Sequence, residues 1–101
     1  MEILHEEING KGAFFIKDDT GRVAELEYER ENGGVIIATH TRVSPALEGQ
    51  GIARKLFDKL IEHTRKEKTK ILAVCPYVKK RLSEKIEEFK DIIDERNEFI
   101  K

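Results

Sequence analysis

Gly49, Gln50 and Gly51 stand directly before Ile52, Ala53, Leu56, Phe57, Leu60 and Ile61, apolar residues at helical spacing with Arg54, Lys55, Asp58, Lys59 and Glu62 between them. Upstream, Val35 to Val43 is rich in Val, Ile and Thr and reads as a strand, which Pro45 stops because it has no N–H to give a ladder. The two glycines therefore sit where a strand turns into an amphipathic helix. The first N–H groups of a helix have no internal partner, and the helix dipole adds about half a positive charge there. Such a turn is an anion cradle, and phosphate is its usual guest. Two glycines before a helix also serve as a plain turn. A Walker loop needs Lys-Ser/Thr after its last glycine, where this chain has Ile52-Ala53. A dinucleotide fingerprint needs an acidic residue at the end of the next strand, which here ends in Val74-Cys75.

Two more residues have reactive side chains near predicted strand ends. Simple alternation puts His40 on the strand face of Ile36, Ala38 and Arg42. An imidazole with an ordinary pKa of about 6.5 suits proton transfer, although a strand histidine also serves as a packed, hydrogen-bonded residue. Cys75, just before Pro76, is either a small buried apolar residue or a thiol able to take an acyl group from a thioester. Tyr28 and Tyr77 read as aromatics at the core edge, and Lys79, Lys80 and Arg81 as a solvated helix face. His5 has no such context, and His63 falls on the polar face of its helix. Three scattered histidines and one cysteine have no ligand spacing, so no metal site is expected.

The elements that position these residues follow from pattern. Glu2–Ile8, Ala13–Lys17 and Val23–Arg30 read as strands, joined by turns at Asn9–Gly12 and Asp18–Gly21; Asn32-Gly33-Gly34 leads into Val35–Val43. The first half is thus an antiparallel meander. The helix runs over 52–68, and Lys70–Cys75, apolar on both faces, reads as a central strand parallel to 35–43. That pairing brings Val43 and Cys75 to the sheet edge beside the glycine loop. Val78, Leu82, Ile86, Phe89 and Ile93 step at helical intervals, as one or two helices covering the sheet; residues 94–101 extend the last helix or fray. The expected class is α+β: a mostly antiparallel sheet, one crossover helix and C-terminal helical cover.

A chain of 101 residues makes one domain, 1–101. A net charge of −1 gives no bulk attraction to nucleic acid or to a membrane surface, and no apolar run approaches a span. One cysteine allows no internal disulfide, and the acidic start lacks the features of a signal peptide, so a reducing cytoplasm is expected.

Glu48-Gly49-Gln50-Gly51-Ile52-Ala53 resembles the acetyl-CoA pyrophosphate loop of the GNAT superfamily of N-acetyltransferases, whose pattern is Gln/Arg-x-x-Gly-x-Gly/Ala. His40-Thr41-Arg42-Val43 and Cys75-Pro76-Tyr77-Val78 stand around it in the order and spacing of a minimal GNAT-like family, and Ala24–Tyr28 fits the same family. The resemblance covers about residues 10 to 93. Glu48 departs from the pattern by placing a carboxylate where Gln or Arg is preferred. The resemblance implies a GNAT-like fold without the usual N-terminal helices, and transfer of an acetyl group from acetyl-CoA to an unidentified amine. The alternative is a non-catalytic acyl-CoA-binding module. By the same resemblance Glu48, Gly49, Gln50, Gly51, Ile52, Ala53 and Arg54 surround the pyrophosphate. Main-chain groups of Thr41, Arg42 and Val43 pair with the pantetheine arm, Tyr77 lies against the coenzyme, and Cys75 and His40 are the catalytic candidates. A monomer or weak homodimer without metal is expected.

Overall fold

The computed structural model describes residues 1–100. Four strands come first: β1 (Leu4–Ile8), β2 (Lys11–Asp18), β3 (Gly21–Arg30) and β4 (Ile36–Val43). A 3₁₀ turn over Pro45–Leu47 leads to α1 (Ile52–Lys66), then β5 (Ile71–Ala73), α2 (Pro76–Glu84) and α3 (Ile86–Phe89). The sheet order is β1-β2-β3-β4-β5; the first four strands pair antiparallel, and β4 pairs parallel with β5 across the α1 crossover. The α+β class and the meander are as the sequence pattern predicts, and four strands precede the first helix.

Alternation along β2 and β3 puts Phe14, Ile16, Ala24, Leu26 and Tyr28 on one face, where the α1 residues Ile52, Leu56, Phe57, Leu60 and Ile61 cover them. Burying a residue such as Leu56 or Leu60 contributes about 1.5–3 kcal/mol. Phe57 meets Tyr77 of α2 edge-on at 6.4 Å and Phe89 of α3 at 5.5 Å, so all three helices share this face. On the other face Glu25, Glu27 and Glu29 of β3 stand over a rim of Arg22 and Arg42, and the Arg22 guanidinium caps the Phe15 ring at 3.9 Å.

A bulge in β4 corrects the predicted face of His40. Glu27 pairs with His40 but Tyr28 pairs with Ala38, so Thr39 is the extra residue, and its hydroxyl donates to the Glu27 carbonyl at 3.2 Å. One inserted residue reverses every side chain beyond it. Ile36 and Ala38 point into the core, whereas His40 and Arg42 share the opposite face with Glu27 and Glu25.

β5 is also corrected. Its paired residues are only Ile71–Ala73, and it is the edge of the sheet, not its centre. It is apolar because the C-terminal segment covers the edge. Ile71 forms a parallel bridge with Ile93; the Ile71 N–H donates to the Ile92 carbonyl at 2.6 Å, and the Asp94 N–H to the Ile71 carbonyl at 3.0 Å. Ile93, expected in a helix, is thus held by the sheet. Asn97, 2% exposed, completes the cover: its Oδ1 accepts from the Ala73 N–H at 2.8 Å, and its Nδ2 donates to the carbonyls of Ile71 and Asp94, each at 2.8 Å. Residues 94–100 therefore neither extend the helix nor fray, and Lys101 lies outside the described residues.

At the opposite end of the sheet Arg30 grips Glu7, with Nε to Oε2 at 3.0 Å and Nη2 to Oε1 at 2.8 Å, while the Tyr28 hydroxyl donates to Oε1 at 2.7 Å. The Arg30 bonds, then that of Tyr28, bring the Glu7 carboxyl down to about 2.

Two outcomes are expected. Asn97→Ala leaves the Ala73 N–H without its partner and removes one of two donors from each of the Ile71 and Asp94 carbonyls, and urea unfolding should show a loss of about 1–3 kcal/mol. Because folding lowers the Glu7 pKa, its stabilisation is complete above the ordinary value of 4.5 and is lost as pH falls toward about 2. Glu7→Gln should flatten the stability-against-pH curve in that window; an unchanged acid limb would show that the Arg30 grip is not formed in solution.

Candidate functional site

The glycine loop has the backbone its sequence requires. Gly49 has φ 84° and Gly51 φ 71°, the left-handed region that side chains resist. A Cβ built at either position meets nothing within 4 Å, so both faces are open to a guest. Gly51 is the N-cap of α1; no side chain caps that end, and its first turn contains no acidic residue. The leading N–H groups of α1 are therefore left for an external acceptor, at the positive end of a fifteen-residue helix.

These groups open into a cleft of about 280 Å³ lined by Val43, Leu47, Glu48, Gly49, Gly51, Ile52, Ala53, Arg54 and Tyr77. The structure thus joins the end of β4, the loop, the start of α1 and the start of α2 in one concavity. Gln50 and Thr41, Arg42, His40 and Cys75 are not part of that lining. Leu47 is a lining residue that motif reasoning missed; its only signal was an apolar side chain in an otherwise small and polar loop. Arg54, half exposed, pairs with Asp58 at 3.3 Å. Burial raises the Tyr77 phenol above its ordinary range.

Beside the cleft the sheet comes apart. The Ala38 carbonyl accepts from both the Val74 N–H (2.9 Å) and the Cys75 N–H (2.8 Å), and β4 and β5 pair no further. His40–Val43 continues against β3 alone, leaving its other edge without a strand. Across the gap the Thr41 hydroxyl and the Cys75 thiol lie 3.2 Å apart. Cys75 is 2% exposed and is the N-cap residue of α2, without a side-chain bond to the helix. The side chain beside Cys75 is therefore Thr41; His40 stands on the exposed, helix-free face.

His5 and His63 are a second surprise. His5 stacks on Phe14 at 4.3 Å and meets the His63 ring edge-on at 4.6 Å, so His63 faces β1 instead of lying on a plain solvated helix face. No helix among the described residues is long and apolar enough to cross a membrane.

A mixed sheet that splays beside a glycine-capped helix defines the acyl-CoA N-acyltransferase class of fold. The sequence profile of the GCN5-related N-acetyl-transferase family matches residues 13–92, and the chain belongs to that family. A solution structure of a GCN5-like candidate N-acetyltransferase from Staphylococcus aureus is similar, with a TM-score of 0.65 at 31% identity, over 90% of this chain and 87% of that one. The ribosomal-protein-alanine N-acetyltransferase of Brucella melitensis biovar Abortus shares the fold, with a TM-score of 0.57 at 21% identity, over 79% of this chain and 65% of that one. No curated protein sequence matches the chain significantly. Family and fold together support acetyltransferase activity.

Proposed function

We propose that the protein transfers an acetyl group from acetyl-CoA to an amine, by direct attack across the gap between β4 and β5. The observation that carries this reading is the cleft at the uncapped start of α1, which ends beside that gap. In this reading the N–H groups from Gly49 to Arg54 hold the pyrophosphate. The pantetheine arm takes the place of a strand along Thr41, Arg42 and Val43, where β4 has no neighbour on that side. Val43, Leu47, Ile52 and Tyr77 offer it an apolar wall.

The thioester then lies in the gap, and the amine approaches from the helix-free face. His40 is exposed there and takes the proton that the amine loses as its nitrogen attacks the thioester carbonyl. The carbon–sulfur bond breaks and CoA leaves as the thiolate, which takes a proton from solvent water to become the thiol, while His40 returns the amine's proton to solvent. Cys75, buried against the Thr41 hydroxyl and without an imidazole beside it, shapes the gap and carries no acyl group. With helices on one face only, the acceptor site is shallow, which suits an amine displayed on a larger partner as well as a small one.

Calorimetric titration with CoA tests the cradle. The native protein should bind; Gly51→Glu should not, because its side chain enters the space that a Cβ there would face. Glu48→Arg should bind more tightly at low salt and lose that gain as ionic strength rises, since the exposed carboxylate lines the cleft. Equal binding by Gly51→Glu would overturn the assignment. Turnover against an amine panel tests the chemistry: His40→Gln should lose about a hundredfold or more in kcat at unchanged CoA affinity. Cys75→Ala should keep most of its turnover, and mass spectrometry of protein with acetyl-CoA alone should show no adduct. An acetyl group on Cys75 would establish a two-step route instead. CoA binding without turnover on any amine would point to a sensing module.

A further inference from the structure

At the end of the sheet remote from the glycine loop, the fold gathers side chains that the acetyl-transfer reading does not use. His5 and Glu7 lie on β1, two residues apart and hence on one face; His63 reaches them from α1. One donor atom from each of His5, Glu7 and His63 lies within 4.8 Å of the other two. Nε2 of His63 is buried and makes no hydrogen bond; Glu67 Oε2, 3.2 Å away, forms an ion pair with it only when the imidazole is protonated. A buried ring nitrogen left unpaired is unfavourable unless something fills the space before it. His5 and His63, though not Glu7, also line a solvent-open cleft of about 230 Å³ together with Phe14, Lys59, Glu62 and Lys66.

We propose that His5, Glu7 and His63 form a site for a divalent transition metal of the zinc type. Two imidazoles and one carboxylate are a donor set for Zn²⁺ and its neighbours, with an open position for water. Zinc–ligand distances of about 2.0–2.2 Å require donors roughly 3.4 Å apart, so each donor here needs to move by about 1 Å, a side-chain torsion. Each donor has a lone pair to give. A neutral imidazole keeps one on a ring nitrogen whichever tautomer it adopts. Glu7 Oε1 already accepts from both Tyr28 and Arg30, but Oε2 accepts only from Arg30 Nε and keeps one. Arg30 also joins Glu7 to Glu67 (Nη1 to Oε1, 2.8 Å), so two carboxylates share this guanidinium, while Lys59, Glu62 and Lys66 stand in the wall of the adjoining cleft. The Tyr28 hydroxyl, 2.7 Å from both His5 Nε2 and Glu7 Oε1, orients two of the ligands, the outer-shell arrangement typical of metal sites. The two clefts share no lining residue, so this site is separate from the one proposed for acetyl-CoA.

Cobalt(II) is the probe, because its visible absorption reports coordination directly. Titration of the metal-free full chain should give one Co²⁺ per chain and a visible band that Zn²⁺ displaces. His63→Gln and His5→Gln should each weaken Co²⁺ binding by at least about tenfold. Both should retain native circular dichroism and bind CoA as the native chain does. A native chain that takes up no stoichiometric Co²⁺ overturns the proposal, and so does binding that survives both substitutions. Since every readout is independent of acetyl transfer, failure here leaves the CoA assignment standing, and the reverse.

Discussion

The carbonyl oxygen of Ala38 is where this sheet stops being a sheet. It accepts from two successive N–H groups, Val74 and Cys75, and so turns the chain out of β5 and into α2 while β4 runs on. A parallel pair that simply continued would bring Thr41 and Val43 into register with another strand and close the gap. Instead the edge of β4 is left open for five residues beside the uncapped end of α1. The bulge at Thr39 lies at the same point and reverses the side chains that follow. Together they put Thr41 toward Cys75 and the core, and His40 and Arg42 on the other face. The opening and the distribution of reactive groups on its two sides thus have one local origin.

The rest of the chain is arranged so that this opening costs little stability. β5 is three residues long and lies at an edge, a position that normally leaves backbone groups exposed. The chain closes that edge with Ile92, Ile93 and Asp94 from its own C-terminal part, and with the Asn97 amide as a substitute for a neighbouring strand. At the other end, β1 is fastened through Glu7 to Arg30 and through His5 to Tyr28, which ties a mostly exposed strand to the core aromatic beneath it. Both edges are thus held by polar side chains, whereas the centre is held by apolar contact with α1.

A heavily charged surface fits this plan. With 39% charged residues and a net charge of −1, charges of both signs are interspersed, and the ion pairs stand mainly on exposed surfaces. Individually such pairs contribute little. Glu48 has no ion pair among the described residues and stands at the mouth of the cleft. An unpaired carboxylate there opposes an anionic guest.

The sequence by itself determined the elements whose signal is local. The alternation of β3, the helical spacing of α1, the proline after β4 and the glycines before Ile52 each follow from backbone preferences of a few residues, and the loop, with its helix N-terminus and its family resemblance, was legible from them. Tertiary structure decided whatever depended on one inserted residue or on partners far apart in the chain. A bulge has no composition signature at Thr39, yet it moved His40 from the core face to the open one. The apolar run Ile71–Ala73 has the same pattern in a central strand as in an edge strand covered by Asn97, twenty-four residues beyond Ala73. Thr41 and Cys75, thirty-four residues apart, meet only because the Ala38 carbonyl splits the sheet. His5 and His63 had no spacing to relate them, and only the packing of α1 on the sheet brought their rings together. Local propensity is written in neighbouring residues, whereas the register of paired strands and the meeting of distant side chains are set by which packed arrangement buries the apolar face as a whole.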